Sequence, residues 1–213
     1  DIRDVGQDIM DGVGIVVHLA GIVTDELADM NPELTRQVNV EATLRLATLA
    51  DDTGVHRIVY ASSSSVYGTQ DGVCNEATPP KPMTAYASSK LRAEWALGGW
   101  AFETVIVRSA TLMGPAPRMR LDTIVNTFSA QAYFEGRITV WDGTQYRSNI
   151  HVDDITDVYS MLVERDIPGS RTPNLYNAVA QVGTALEIGE AVGAAFGVPV
   201  EVVVLREVAR RGS

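Results

Sequence analysis

Short apolar runs alternate with longer amphipathic segments along the first half of the chain. Three runs rich in Val and Ile, residues 14–20, 57–62 and 104–109, lack the polar alternation of a half-exposed strand. Such runs are typical of strands buried on both faces of a parallel sheet. Two segments with helical spacing, residues 31–53 and 84–102, separate them. This order predicts right-handed crossovers and an α/β fold, in which helices cover both faces of a doubly wound parallel sheet.

The helical segments have predictable ends and faces. Asn31 can cap the first, Pro32 suits its first position, and Gly54 can end it. The second segment carries Trp95 and Trp100, which we expect to pack against the fold rather than stack on a ligand. The apolar positions expected to face the core in the first segment are Leu34, Val38, Leu44, Leu46 and Leu49.

The pattern changes after Gly114, where Pro115 and Pro117 interrupt the regular alternation. Helices are expected over 122–134, 153–163 and 185–196, and strands over 138–141, 174–179 and 200–205, with a turn at 142–143. We therefore expect a boundary near residue 114. It would separate a parallel-sheet domain, residues 1–114, from a smaller, mostly helical lobe, residues 115–213.

Composition narrows the function classes. The 213 residues include 17 basic and 27 acidic ones, and a net charge of −10 argues against nucleic acid as a partner. Cys74 is the only cysteine, so the sequence excludes an intrachain disulfide and a thiolate metal site, and we expect a reducing, cytoplasmic compartment. The longest apolar stretch, residues 13–23, is too short for a membrane span. Because the chain opens without Met, we expect it to begin within a longer protein.

Tyr86 and Lys90 are the strongest catalytic candidates. They are four residues apart in a predicted helix, so both lie on one face, and a fixed ammonium there favours the phenolate of a general base. The alternative is a chance pair on a solvated helix face. Ser62–Ser65 follow an apolar strand directly, where open parallel sheets bind ligands, although a serine run can equally be a flexible loop. Together these groups predict an alcohol or carbonyl site beside a hydride-accepting cofactor.

Eight short segments, in order along the chain, resemble those of the extended short-chain dehydrogenase/reductases, in their NAD-dependent sugar-nucleotide epimerase/dehydratase group. The segments are Asp1-Ile2, His18–Gly21, Asn39–Thr43, Ser62–Gly68, Tyr86–Lys90, Arg108–Thr111, Pro117–Arg120, and Arg147 with His151–Asp154. The resemblance implies a Rossmann-like fold in which residues 1–114 form a partial NAD-binding domain with the catalytic Ser, Tyr and Lys. Residues 115–213 would form mainly a substrate-binding lobe, with elements returning to the Rossmann domain.

The same resemblance implies roles for individual residues. Ser63, Tyr86 and Lys90 would be catalytic, with Tyr86 as the base and Lys90 holding the cofactor ribose and favouring the phenolate. The cofactor, NAD with NADP as the alternative, would contact Asp1, Ile2, Leu19, Ala20, Gly21, Asn39, Ser63, Tyr86, Lys90 and Ala110. The nucleotide-sugar substrate would contact Thr111, Asn126 and Arg147. The planar guanidinium of Arg suits a bidentate contact with phosphate.

Departures from the family pattern bear on the reaction. The glycine-rich phosphate loop and the first strands of the Rossmann fold are missing from this sequence, and the C-terminus stops earlier than is usual in the family. Ser64 and Ser65 stand where dehydratases of the family carry an Asp-Glu pair, and Thr111 stands where many 4-epimerases carry Asn. His18, inside an apolar strand, and His151, before a helix, are expected to be buried structural residues and not metal ligands.

The expected function is NAD-dependent epimerisation of a nucleotide-diphosphate sugar, most simply a UDP-sugar at C4. Two alternatives stay open: a nucleotide-sugar 4-ketoreductase, which would consume one reduced cofactor per sugar, and a catalytically silent cofactor-binding or regulatory protein. Members of the family usually dimerise through helices that begin near Asn31 and Thr84. The resemblance therefore also implies a homodimer.

Overall fold

The chain divides into two compact units in a computed structural model that describes residues 1–165 and 172–204. Unit 1 comprises residues 1–110 and the described part of 155–178, and unit 2 comprises residues 111–154 and the described residues from 179 onward. The chain thus leaves unit 1 close to the point where the sequence pattern changes. It returns to unit 1 for a helical stretch and one further strand.

The described residues contain nine strands and seven α-helices. The strands are β1 (Ile15–His18), β2 (Arg57–Ser63), β3 (Glu103–Ser109), β4 (Thr111–Met113), β5 (Ile138–Trp141), β6 (Tyr146–His151), β7 (Asn174–Ala178), β8 (Gln181–Thr184) and β9 (Val200–Val203). The helices are α1 (Asp25–Met30), α2 (Pro32–Arg36), α3 (Ala42–Thr53), α4 (Ala85–Ala96), α5 (Ile124–Glu135), α6 (Val152–Glu164) and α7 (Ala185–Phe196).

Unit 1 is built on a four-stranded parallel sheet in the order β1-β2-β3-β7. The predicted α/β fold with a parallel sheet is therefore confirmed. One core cluster of this unit includes Leu46 of α3 and Ile58 of β2. The register pairs Ser63 with Ser109, and Ser109 with Ala178, so the carboxyl ends of three strands meet at one edge. Open parallel sheets bind their ligands beyond this edge.

The first strand departs from the expected burial. β2 and β3 are buried along most of their length, whereas Val17 of β1 is 36% exposed. Within the described residues β1 pairs with β2 alone, so it is an edge strand. The prediction of a strand covered on both faces is therefore wrong for β1. The local sequence pattern does not reveal which neighbours a strand has.

The helix predicted from Asn31 is continuous, but it contains a π-turn. α2 runs into a turn over Gln37–Glu41, which is closed by an i→i+5 hydrogen bond to the Gln37 carbonyl, and α3 follows. The predicted ends are confirmed. Asn31 caps α2 with its side chain, Pro32 occupies the first position, and Gly54 ends α3 with a φ of 77°. A π-turn inside an α-helix is frequently found at a functional site.

The buried face of this helix differs from the predicted one. Leu46 is buried as expected, but Leu44 is 46% exposed. Leu34, Val38 and Leu49 are half-buried. The buried positions are mostly small or polar: Thr35, Asn39, Ala42, Thr43, Leu46, Ala47 and Ala50. The wide π-turn rotates α3 relative to α2, so the spacing of an ideal helix assigns the wrong face.

The helix that carries Tyr86 is shorter than predicted. α4 ends at Ala96, and Gly99, with a φ of 86°, leads the chain away from the helix axis. Trp100 therefore lies beyond the helix, where its ring stacks on Phe102 with 5.8 Å between the ring centres. Trp95 remains on the helix but is 68% exposed, so its predicted packing role is wrong.

Unit 2 contains more strand than predicted. β5 and α7 match their predicted ranges, but β4, β6 and β8 form an additional sheet, and β5 pairs in parallel with β9. Phe128 of α5, Ile188 of α7 and Ile138 of β5 share one core cluster. The expectation of a mostly helical lobe is therefore wrong, because short strands such as the polar β6 carry no apolar run.

Leu205, the predicted end of the last strand, lies outside the described residues. Among the described residues, no helix combines the length and the apolarity needed to cross a membrane.

Candidate active site

Lys90 is buried on the face of α4 that packs against β2. Its side chain is 3% exposed, and Nζ donates a hydrogen bond of 2.8 Å to the carbonyl oxygen of Ala61. Nζ lies 5.9 Å from the ring centre of Tyr86 and 5.0 Å from that of Tyr60. Lys90 is therefore not part of a solvated helix face. The ammonium and the Tyr86 phenol lie one helical turn apart, as the spacing predicts.

Burial sets the charge state of Lys90. Removal of the ammonium from water lowers the pKa of Lys90 to about 8, while the Glu94 carboxylate opposes this effect. At neutral pH the ammonium is still mostly protonated. Its positive charge is thus available to Tyr86, but a modest rise in pH removes it.

The serine run is an ordered turn at the carboxyl end of β2. Ser63 Oγ accepts a hydrogen bond of 3.2 Å from the Ser65 amide and donates one of 3.1 Å to Ser65 Oγ. It thereby caps the 3-10 turn Ser64–Tyr67. The turn ends at Gly68, whose φ of 63° suits glycine. The flexible-loop alternative is therefore excluded, and Ser63 lies two residues beyond the carbonyl that Lys90 binds.

Gly21 and Asn39 lie beside Lys90. Asn39 sits in the π-turn, where its Oδ1 accepts from the Ile22 amide at 2.8 Å, and its Nδ2 donates to the Ile22 carbonyl and to Ser89 Oγ at 2.9 Å each. A Cβ on Gly21 would lie 3.0 Å from Asn39 Oδ1 and 3.6 Å from Lys90 Nζ. Three residues from separate sequence motifs therefore meet at one place.

The remaining predicted cofactor residues of unit 1 occupy three settings. Ile2, Leu19 and Ala20 line an apolar cavity of about 400 Å³ beside β1. The carboxylate of Asp1 caps the short turn after it and forms an ion pair of 2.7 Å with Arg3. The amide of Ala110 donates to the carbonyl of Ala178 at 2.9 Å, and Ala110 is 3% exposed.

The predicted substrate residues all lie in unit 2. Thr111 is in β4 and pairs with Asn149 of β6. Asn126 is 8% exposed and uses both ends of its amide within the unit: Oδ1 accepts from the Gly114 amide at 3.2 Å, and Nδ2 donates to the Arg120 carbonyl at 2.8 Å. Arg147 is exposed on β6, and its Nη2 donates to Gln145 Oε1 at 2.8 Å.

The two candidate histidines differ in environment. His18 is 3% exposed, its Nε2 lies 2.8 Å from Thr43 Oγ1, and burial lowers the pKa of His18 to about 4. Its predicted structural role is confirmed. His151 is 35% exposed and accepts from the Asp153 amide at the start of α6, so the prediction that it is buried is wrong. The described residues contain no group of His, Cys, Asp and Glu that could hold a metal ion.

A buried ion pair behind the strand end is not apparent from the sequence. Glu94 and Arg108 are each 5% exposed, and Arg108 Nε and Nη2 donate to the two oxygens of the Glu94 carboxylate at 2.9 and 2.6 Å. Ser62 Oγ donates to Glu94 Oε1 at 2.5 Å. A glutamate on a helix usually faces solvent. The signal that could have revealed this pair is Arg108 itself, since an arginine inside an apolar strand requires a buried partner.

Comparisons with known proteins identify the family of the chain. A family model described as "NAD dependent epimerase/dehydratase family" matches residues 1–178. The chain is similar to a UDP-glucuronate 4-epimerase of Thermodesulfobacterium geofontis, at 32% identity over 67% of this chain and 46% of that protein. It is also similar to a dTDP-D-glucose 4,6-dehydratase of Mus musculus, at 26% identity over 83% of this chain and 48% of that protein. The chain spans about half the length of these curated relatives.

A solved structure, MoeE5 in complex with UDP-glucuronic acid and NAD, superposes on the chain. The TM-score is 0.84 at 26% sequence identity, and the match covers 96% of this chain and 70% of that chain.

Proposed function

Because the chain belongs to the NAD-dependent epimerase/dehydratase family, we propose that the full-length protein epimerises a nucleotide-diphosphate sugar, a UDP-sugar at C4 being the simplest case. The observation that carries the proposal is the buried Lys90 ammonium between the end of β2 and the Tyr86 phenol. Ser64 and Ser65 support epimerisation over dehydration, since neither hydroxyl can transfer a proton as a carboxylate does. The likeness to a UDP-glucuronate 4-epimerase points in the same direction.

The surroundings of Gly21 fit a dinucleotide cofactor. A side chain at this position would approach Asn39 Oδ1 to 3.0 Å, so glycine allows the loop to pack closely against Asn39 and Lys90. We propose that Gly21, Asn39 and Lys90 hold NAD together with Leu19, Ala20 and Ile2, and that Asp1 and Ala110 complete the site. NAD, when bound, supplies the acceptor and donor of the hydride.

Three side chains then handle the proton of the sugar hydroxyl. Tyr86 accepts the hydroxyl proton as a general base and returns it to the same sugar oxygen after the sugar has turned its other face to the site. Lys90 stabilises the phenolate, because its ammonium lies 5.9 Å from the centre of the Tyr86 ring and opposite charges attract. Ser63 orients the reacting oxygen by a hydrogen bond, for which its hydroxyl proton turns away from Ser65 Oγ.

Unit 2 supplies the substrate contacts in this proposal. Arg147 has a guanidinium on an exposed strand face, where it can bind diphosphate oxygens in bidentate fashion. Thr111 would contact the sugar nucleotide beside it. Asn126 acts indirectly, because its amide already connects Gly114 to the Arg120 carbonyl and fixes the intervening loop. We also propose a homodimer, for which the exposed Trp95 on α4 provides an apolar contact.

Product stereochemistry measured together with cofactor redox state tests the proposed reaction. The full-length protein is incubated with UDP- and dTDP-hexoses while absorbance at 340 nm is followed and the products are separated. An epimerase interconverts two hydroxyl sugars with a catalytic amount of NAD, because the hydride it removes is the hydride it returns. Stoichiometric loss of NADH with a 4-keto sugar, without interconversion of any hydroxyl sugar, identifies a ketoreductase instead. Release of water from the sugar identifies a dehydratase.

Tyr86→Phe tests the base assignment in the same assay. Loss of a general base lowers turnover about 10²–10⁴-fold. NAD affinity should change little, because the phenol oxygen makes only one of many cofactor contacts. Turnover is measured by product chromatography and NAD affinity by calorimetry. A variant that keeps more than about a tenth of the wild-type turnover would show that Tyr86 is not the base.

A further inference from the structure

Glu94 continues the row of functional side chains on α4. Tyr86, Lys90 and Glu94 are four residues apart in turn, so a phenol, an ammonium and a carboxylate lie on one helix face. Lys90 binds the carbonyl of Ala61, and Glu94 binds the hydroxyl of Ser62. α4 is therefore connected to two successive residues of β2, immediately before Ser63.

The partner of Glu94 holds it in a single orientation. Arg108 of β3 donates two hydrogen bonds to the carboxylate, and its guanidinium lies 4.8 Å from the ring centre of Tyr67. The Tyr67 hydroxyl in turn donates to Asn177 Oδ1 at 2.8 Å. Burying two ions costs several kcal/mol per ion, and a buried pair is often no more stabilising than an apolar pair of the same size. Stability is therefore a poor explanation for these charges, and their position beside Lys90 is a better one.

Few of the titratable groups near Lys90 and Tyr86 carry a charge at neutral pH. In the part of the chain that the structure describes, the titratable groups that interact with Lys90, Tyr86 or Glu94 include His18 of β1, Tyr60 of β2, Arg108 of β3 and Tyr159 of α6. Burial keeps the pKa of His18 near 4, raises the pKa of Tyr60 well above its ordinary value and raises the pKa of Tyr159 to about 12, so all three are neutral. The acting charges in this set are Lys90, Glu94 and Arg108.

We propose that Glu94, fixed by Arg108, is a positioning residue that anchors α4 to the end of β2 and keeps the Lys90 ammonium protonated beside Tyr86. The carboxylate stabilises the buried ammonium electrostatically, and Arg108 prevents the carboxylate from turning to pair with Lys90 directly. The effect of Glu94 on Lys90 is independent of the reaction. The consequence for catalysis rests on the proposed function.

Titration of Lys90 in the full-length protein tests this inference without an activity assay. Proteins with ¹³C-labelled lysine are titrated by NMR, and the Lys90 signal is identified by its absence from a Lys90→Met variant. Glu94→Gln keeps an acceptor for Ser62 but removes the charge, so the Lys90 midpoint should fall by about one pH unit or more. The matched control is Glu103→Gln, which removes the carboxylate of the Arg57–Glu103 ion pair at the opposite end of β2. It should leave the Lys90 midpoint unchanged.

A second variant covers the case in which Glu94→Gln does not fold. The double variant Glu94→Gln, Arg108→Gln avoids leaving Arg108 as an unpaired buried charge, and its Lys90 midpoint should also lie below that of the wild type. A neighbouring charge is expected to shift the Lys90 midpoint by ~1 pH unit. If the Lys90 midpoint of whichever variant folds lies within about 0.3 pH unit of the wild-type value, the inference is overturned.

Activity then separates this inference from the proposed function. If the protein is an epimerase, the alkaline limb of its kcat/KM profile should move to lower pH in Glu94→Gln by the same shift as the NMR midpoint. A shifted NMR midpoint in a protein without epimerase activity supports the role of Glu94 and refutes the proposed function. An unshifted Lys90 midpoint in an active epimerase refutes the role of Glu94 and supports the proposed function.

Discussion

Replacement of His18 by Gln should make the protein less sensitive to acid. His18 is buried in β1, and its Nε2 lies 2.8 Å from Thr43 Oγ1, whose own proton is used in a 2.8 Å hydrogen bond to the Asn39 carbonyl. The ring therefore donates through Nε2 and is neutral. A Gln amide can donate to the same oxygen, but it does not titrate in this range. The substitution thus removes a titration and keeps a hydrogen bond.

The size of the effect follows from the two pKa values of His18. Burial, and to a lesser extent the positive charge of Lys90, lowers the pKa of His18 from 6.5 to about 4 in the folded state. The unfolded chain therefore binds more protons than the folded one between these values, and the free energy of unfolding falls as the pH falls through this window. Between pH 7 and pH 5.5 the loss due to His18 is about 1.2 kcal/mol, and above pH 7 it is close to zero.

Urea unfolding of wild type and His18→Gln at pH 7 and pH 5.5 measures this loss. The difference between the two pH values should be about 1.2 kcal/mol larger for the wild type, because all other titrations are common to both proteins. His56→Gln, which replaces an exposed histidine, is the control and should behave like wild type. Parallel pH dependence of wild type and His18→Gln would refute the assignment of a neutral, buried imidazole.

Two further substitutions test the binding sites. Arg147→Ala should weaken UDP or dTDP binding about tenfold to a hundredfold and leave NAD affinity unchanged, because a charge-assisted diphosphate contact contributes ~1.5–3 kcal/mol. Calorimetry measures both affinities, and Arg137→Ala, at another exposed arginine of unit 2, is the control. Unchanged UDP affinity in Arg147→Ala would give Arg147 a structural role. Gly21→Ala should distort the loop, since its methyl group would lie 3.0 Å from Asn39 Oδ1. A distortion that costs ~1.4 kcal/mol would lower NAD affinity about tenfold. Wild-type NAD binding by Gly21→Ala would contradict a close approach of the cofactor there.

Local patterns in the sequence predict much of unit 1. The apolar runs locate β2 and β3 to within one residue, Asn31 and Gly54 mark real helix ends, and the spacing of Tyr86 and Lys90 puts them on one face. Each of these features depends on neighbours within a few residues along the chain. Such interactions are therefore visible without knowledge of the fold.

Features that depend on distant pairing are not predictable in this way. The partial exposure of β1 depends on its position at the sheet edge, and the sheet of β4, β6 and β8 depends on pairing between segments about 35 residues apart, such as Arg147 with Gly183. From the sequence alone, Glu94 is predicted to lie on a helix surface, and Arg108 interrupts an apolar strand. Only the tertiary packing of α4 against the sheet makes them a pair.

The π-turn at Gln37–Glu41 has a consequence for insertions and deletions. Its wide turn accommodates one residue more than an α-helical turn, so deletion of a single residue here would convert it into an ordinary α-helical turn and leave the side chains from Ala42 onward on their present faces. Thr43 would keep its contact with His18, and Ala47 would stay in the core. Substitutions at the exposed Glu41 disturb neither contact. The π-turn is therefore the one place between Asn31 and Gly54 that can lose a residue without such a change, because the same deletion within α3 would rotate the residues after it by about 100°.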